Sequence, residues 1–327
     1  MAYNLKLDVF RISLKKKGGS NSDLKNFSEF FKDAYYEKDK VTAYKEFIKG
    51  YISSFNKQFE LNKDKTKGIS VPKTHEFNPR SEKNIIDGAV IGGQTGIPQD
   101  LFKQNNAVSP TGNVAFDDVT TLPYYIKLWT PLDHNTGILM VQSYSNLTVT
   151  DLVKTHLSKF FNNFSYSLII TSFVPKSVVE HFKKESNVYK VAFVKESLRK
   201  DKRKLLNPLF TEFDNLNIRI EVSGFKKTVT DFWKELMQDG KILKANLEDF
   251  DIKENEDFKT IAYYKDTDGH CSNTSIDKDF EIKPTIFLDN NLKKNKSEYF
   301  DFNKIKKHTD SILEEIKKEI NYLPNVK

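Results

Sequence analysis

The chain has 327 residues, enough for one large domain or two ordinary ones around a sizeable core. Charged residues make up 30% and hydrophobic residues only 38%, yet 26 Phe and 14 Tyr exclude a disordered chain, which is poor in aromatics. A single Cys excludes an internal disulfide framework and a multi-Cys zinc site. No apolar run approaches the ~18 residues of a membrane span, and the first residues lack the apolar stretch of a signal peptide, so the cytoplasm is the expected compartment. Lys and Arg outnumber Asp and Glu by 52 to 45, a net charge of +7 that favours polyanionic partners where it is concentrated.

In chain order, residues 3–14 alternate as a strand: Leu5, Leu7 and Val9, then Ile12 and Leu14 after a shift of phase. From Asp23 to about residue 60 the spacing of Leu24, Phe27, Phe31, Ala34 and Tyr35 predicts one long helix or two joined ones, with Ser22 placed to cap the first turn. Residues 62–82 are polar and loop-like, 85–93 form a short strand and turn, and 94–118 are irregular. Then 122–131 and 137–144 read as a hairpin, and Thr148 or Thr150 caps a helix that turns Leu152, Val153, His156, Leu157, Phe160 and Phe161 inward.

Further along, 165–174, 187–197 and 216–224 are strands. Short helices are expected after Pro175 and at 229–239. Asp268–Gly269 marks a late hairpin, and Ile305, Ile312, Ile316 and Ile320 align on a C-terminal amphipathic helix over about 303–322. The expected class is α+β, with antiparallel or mixed sheets and interspersed helices. A division near residue 120 separates an N-terminal strand, helix and loop region (1–119) from an α+β domain with a basic surface (120–327).

Three patterns imitate known sites. Gly88–Thr95 has the spacing of a phosphate-binding loop, but Gln94 replaces its lysine, so a glycine-rich turn or bulge is expected. Asp266–Gly269 resembles a calcium loop with its glycine two positions early. Asp268, Asp277, Glu281 and Lys283 could form a Mg²⁺-dependent nuclease centre, although Glu-X-Lys also arises by chance, as at Glu315–Lys317. The six histidines never pair at ligand spacing. His156 reads as a satisfied core histidine, and the neighbouring His270 and Cys271 point to opposite faces of a strand.

Charge distribution says more. Residues 176–204 carry ten basic and four acidic side chains, a net of +6. Lys195, Arg199, Lys200, Lys202, Arg203 and Lys204, followed by Arg219, Lys226 and Lys227, form a candidate phosphate-binding surface of exposed cations. Phe182, Tyr189 and Phe193 fall in core phase, so base stacking is not expected there.

From about residue 120 to 276 the layout resembles that of the RexA-like phage-exclusion proteins, DNA-binding components of two-gene abortive-infection systems. LPYYIKLWTPLDHNTGILMVQSYSNLTVTDLVKTHL resembles their strand, turn, strand and capped helix, and SLIITSFVPKSVVEHFKKESNVYKVAFVKESL the strand, helix and strand that follow. DNLNIRIEVSGFKKTVTDFWKELM and FKTIAYYKDTDGHCSNTSI resemble the next strand–helix unit and the late hairpin, while the aromatic region at 23–60 departs from that layout. The resemblance implies a non-enzymatic antiviral defence protein, without cofactor or metal, that binds double-stranded DNA through its basic surface. It also implies a homodimer that signals to a membrane effector and lies against the inner membrane only through that partner. Phe27, Phe30, Phe31, Tyr35 and Tyr36 point the same way, because one core need not cover them all. The competing readings are the nuclease and a plain interaction protein that engages partners through helices 23–60 and 303–322.

Overall fold

A computed structural model describes residues 3–36, 39–55, 58–71, 77–195, 200–213, 216–232, 234, 259–267, 269, 271–276 and 284–322. The chain divides into two compact units, Met1–Phe173 with Ile286–Lys327, and Val174–Thr285. The first contains β1 (Leu5–Lys16), α1 (Phe27–Tyr35), α2 (Lys40–Ser54), β2 (Glu60–Leu61), β3 (Lys67–Ser70), β4 (Asn78–Arg80), β5 (Ile85–Gln94), β6 (Gln99–Leu101), β7 (Gly112–Val114), β8 (Thr120–Trp129), β9 (Gly137–Tyr144), α3 (Thr150–Asn162) and β10 (Tyr166–Ser172). The second contains α4 (Lys176–Glu185), β11 (Asn187–Lys195), α5 (Lys200–Leu206), β12 (Ile218–Thr228), β13 (Lys259–Lys265) and β14 (Cys271–Ile276). The first unit then resumes with β15 (Ile286–Leu288) and α6 (Phe302–Glu319). The α+β class is as the sequence predicts, and every described strand pairing is antiparallel.

The expected division near residue 120 is not a boundary. β5 pairs with β8 along its whole length, Ile85 with Trp129 through Gln94 with Thr120, which ties 85–94 into the same sheet as 120–129. That sheet runs β10-β1-β9-β8-β5-β3-β2. β9 occupies one edge of β1, and on the other edge β10 pairs with residues 10–16 while β15 pairs with residues 5–7. β10 and β15 therefore lie end to end, as one edge strand interrupted by the second unit.

Helices cover both faces of this sheet, which explains the phase shift in β1. Val9 lies opposite Met140 and Met140 opposite Lys127, so Leu5, Leu7 and Val9 share the face on which Lys127 meets Asp310 of α6. Ile12 lies on the other face, opposite Gly137, where a Cβ would come 3.0 Å from the Phe27 ring of α1. The strand buries first one face and then the other because its helical cover changes sides.

α1, α2 and α3 meet through rings. Phe30 contacts Phe31, Phe47, Phe161, Phe164 and Tyr166 at centroid distances of 4.8–6.1 Å, within the range where edge-to-face packing is favourable. Phe27, Phe30, Phe31 and Phe47 are wholly buried. Phe27, Phe30 and Phe31, which pointed to a second copy, are thus covered within one core, and of the five aromatics named for it Tyr36 stands out at 93% exposure. α1 starts at Phe27 with Asn26 as its N-cap, so Ser22 caps nothing and instead joins Ser20 in the preceding turn.

The glycine-rich segment is a continuous strand rather than a turn. A Cβ on Gly93 would lie 1.7 Å from the Thr120 carbonyl oxygen, and one on Gly88 2.1 Å from the Phe77 ring. These glycines admit a neighbouring backbone and a ring.

On the α6 face a closed charge cluster joins helix to sheet. Lys127 Nζ lies 3.0 Å from Asp87 Oδ1 and also bonds Asp310. Arg80 donates from Nε to Asp87 at 2.8 Å and from both terminal nitrogens to the two oxygens of Asp310 at 2.9 and 2.7 Å. The Tyr125 hydroxyl donates to Asp87 at 2.5 Å and sits 3.0 Å from the Thr309 hydroxyl. Two cations and two carboxylates balance in a site where Lys127 and Asp87 are wholly buried. Burial, with the Asp87 charge second, pushes the Tyr125 phenol well above its ordinary pKa and keeps it a donor.

Among the described residues no helix is long and apolar enough to cross a membrane.

Candidate nucleic-acid interface

The second unit is a four-stranded antiparallel sheet in the order β12-β11-β13-β14. One face is sealed. Phe182 of α4 packs with Val188, Val191, Phe193, Val229, Phe232 and Tyr264, and Ile220 and Phe225 close the margin. The α4 helix reaches this core with the single buried side chain Phe182, its ring 4.2 Å from that of Tyr264.

The other face is partly exposed among the described residues, with Lys190 and Tyr263 half-buried and Arg219 exposed, and a bulge shapes it. The β11 register shifts between Val188 and Lys190 against both neighbours, so one extra residue is accommodated there. Val188 and Val191 both enter the core, although strict alternation would separate them. Tyr189 and Lys190 are left on this second face, where the Tyr189 ring approaches that of Tyr263 at 6.4 Å.

Tyr263 is the centre of this face. Lys190 Nζ lies 4.2 Å above its ring, and the Arg219 guanidinium lies 5.8 Å from the same centroid and donates to its hydroxyl. Glu221 bridges the two cations, accepting from Arg219 Nε at 2.7 Å and from Lys190 at 3.2 Å. Those hydrogen bonds, Arg219 first, hold the Glu221 carboxyl below its usual range. Register places Lys259 opposite Val194, and residues 259, 261, 263 and 265 alternate onto this face, which adds the exposed Lys259 and Lys265. Among the described residues, four cations against one carboxylate give this sheet face a positive charge, with two tyrosines on it.

The predicted basic residues separate into groups. Lys200 and Lys204 of α5 are exposed, as are Arg219, Lys226 and Lys227 of β12. Lys195 closes β11, half-buried. Arg203 departs from the expectation of exposure: it is 9% exposed and donates to the Phe213 carbonyl, so it fastens the loop after α5. Arg199 lies outside the described residues, as does the side chain of Lys202. The nuclease residues Asp268, Asp277, Glu281 and Lys283 also lie outside them, and so does His270. Cys271 is exposed in β14. Among the described residues no group of three His, Cys, Asp or Glu could hold a metal ion.

Tyr263 and Lys190 escaped the sequence reading. A period-two count through β11 puts Tyr189 in core phase, and a bulge leaves no mark in composition. The one usable signal was the doublet Tyr263–Tyr264, since adjacent strand residues must face opposite ways.

The chain matches no protein-family model, no curated protein and no solved structure.

Proposed function

We propose that the second unit binds nucleic acid, with its charged sheet face as the contact surface. The carrying observation is Tyr263, flanked by Lys190 and Arg219 on the sheet face opposite the Phe182 core. Cations supply phosphate contacts without sequence preference. Charge alone suits duplex and single strands equally, but tyrosine rings do not, because a base must be unstacked before it can lie on a ring. The geometry therefore favours single-stranded DNA or RNA over the duplex that the basic run and the phage-exclusion layout imply. The exposed Lys200, Lys204, Lys226 and Lys227 would extend the phosphate track. In the defence setting implied by that layout, the protein would sense nucleic acid and pass the signal to an effector, a membrane protein by the same analogy.

The test is fluorescence anisotropy with a labelled single-stranded oligonucleotide and its duplex over a salt series. The single strand should bind more tightly. Its log–log salt slope should be about −3 if roughly four phosphates are neutralised. Tighter binding of the duplex would restore the duplex reading. Absence of binding to either at about 50 mM salt, where such contacts are strong, would remove nucleic acid from the account.

A further inference from the structure

A second constellation stands in the first unit, apart from the nucleic-acid reading. Ser54 ends α2, Glu60 opens β2 and His156 lies midway along α3. The Ser54 hydroxyl oxygen is 2.9 Å from His156 Nε2, and His156 Nδ1 is 2.5 Å from Glu60 Oε2. The carboxylate on Nδ1 assigns the ring proton to that nitrogen and leaves Nε2 as acceptor. The imidazole is fixed in plane by Phe55, stacked at a centroid distance of 3.9 Å and 27°. Lys159 bonds the other oxygen of Glu60 and holds that carboxylate in place.

These groups line a pocket of about 260 Å³, whose walls include Phe55, Phe59 and Ile69. Hydroxyl, imidazole and carboxylate in this order, at hydrogen-bonding distances and beside a cavity, meet the geometric requirement for an activated nucleophile, which is recognised by roles and not by chain order. Burial, opposed by Glu60, keeps the His156 pKa below its ordinary value, so the ring is neutral at pH 7 and free to take a proton. The Ser54 hydroxyl also lies 2.6 Å from the Tyr51 carbonyl, so its one proton has two acceptors at rest.

We propose that Ser54, His156 and Glu60 form a hydrolytic site for small carboxylic esters, with Ser54 as nucleophile, His156 as general base and Glu60 as a positioning residue. Ser54 Oγ bonds to the acyl carbon while its proton moves to His156 Nε2. The bond to the leaving alkoxide breaks, and that proton passes to it to give the alcohol. Water then attacks the acyl-serine, one proton moving to Nε2 and on to Ser54 Oγ, and a carboxylic acid leaves. The pocket lies just below the roughly 300–1,000 Å³ of typical ligand sites, which restricts the acyl group to a short apolar chain.

The full-length protein is incubated with a fluorophosphonate probe and, separately, with p-nitrophenyl butyrate. Ser54 should carry the phosphonyl adduct in peptide mass spectra, and ester hydrolysis should exceed the buffer rate. Ser54→Ala should abolish both. His156→Gln should slow both by about 10²–10⁴-fold, the usual span of general-base catalysis. Glu60→Gln should move the midpoint of the labelling-rate pH profile downward, because the carboxylate that favours the imidazolium is gone; a purely structural bond would leave that midpoint in place. Circular dichroism identifies any variant that fails to fold, and Ser54→Ala, which removes one oxygen from a helix end, is the variant expected to fold. Absence of labelling and hydrolysis in the parent, or equal labelling of folded Ser54→Ala, would overturn the proposal. Neither result bears on nucleic-acid binding.

Discussion

Lys127→Met should destabilise the first unit by about 3–5 kcal/mol, the range for removing one partner of a buried ion pair. Methionine fills similar volume, so cavity formation contributes little. The loss comes from Asp87, which stays wholly buried with one cation fewer, and from Asp310, which keeps only Arg80. Urea unfolding followed by circular dichroism measures it, with the first unit's transition moving to lower urea and its slope unchanged. A loss below about 1 kcal/mol, the scale of exposed pairs, would mean that the cluster is solvated.

The same cluster predicts acid sensitivity. Burial pushes the Asp310 carboxyl upward, but hydrogen bonds from Arg80 and Lys127 outweigh it and hold its pKa below 3.8. A carboxyl lowered on folding stabilises fully above its unfolded pKa, and that stabilisation fades as pH falls through the folded value. Stability of the parent should therefore drop below about pH 4, the ordinary carboxylate range. The drop should be shallower in Lys127→Met, where Asp310 has lost one of its two cations.

Tyr263→Ala should weaken single-strand binding by about 5- to 150-fold, because stacking one base is worth roughly 1–3 kcal/mol. Tyr263→Phe keeps the ring and loses only the bond from Arg219, so it should bind nearly as the parent does. The salt slope separates stacking from charge. Tyr263→Ala should leave it unchanged, whereas Arg219→Glu should flatten it by about 0.7, one phosphate contact on a single strand. Equal affinity of Tyr263→Ala and the parent would show that the ring is only a support for Lys190 and Arg219.

Local patterns carried much of this fold in the sequence. The Asp268–Gly269 dipeptide marked the β13–β14 hairpin, with Gly269 at φ +85°, and isoleucine spacing marked α6 through Ile305, Ile312 and Ile316. The phase shift in β1 was visible as residues, while its cause, helical cover changing sides, depends on α6 some 300 residues later. The boundary near 120 failed because a loop-rich stretch looks like a linker even when the strands on either side of it pair. Among the basic residues, Arg203 was misread because composition cannot distinguish an arginine facing water from one that bonds a carbonyl beneath it. Ser54, Glu60 and His156 could not be grouped at all, since 96 residues separate Glu60 from His156 and only the fold sets α3 beside both the end of α2 and the start of β2.

The interrupted edge strand makes the second unit a guest. The chain leaves β10 with Ser172 opposite Phe10 and re-enters β15 with Ile286 opposite Leu7, three residues along the same strand and thus about 10 Å apart. A short bridge could close that gap without changing any other pairing of β1. During synthesis the ribosome delivers the guest before the host can finish, because β15 and α6 follow it in the chain. Until α6 docks, Lys127, Arg80 and Asp87 lack Asp310, the second carboxylate that balances the two cations. A chain cut short after residue 285 would carry the whole guest on a host without β15 and α6.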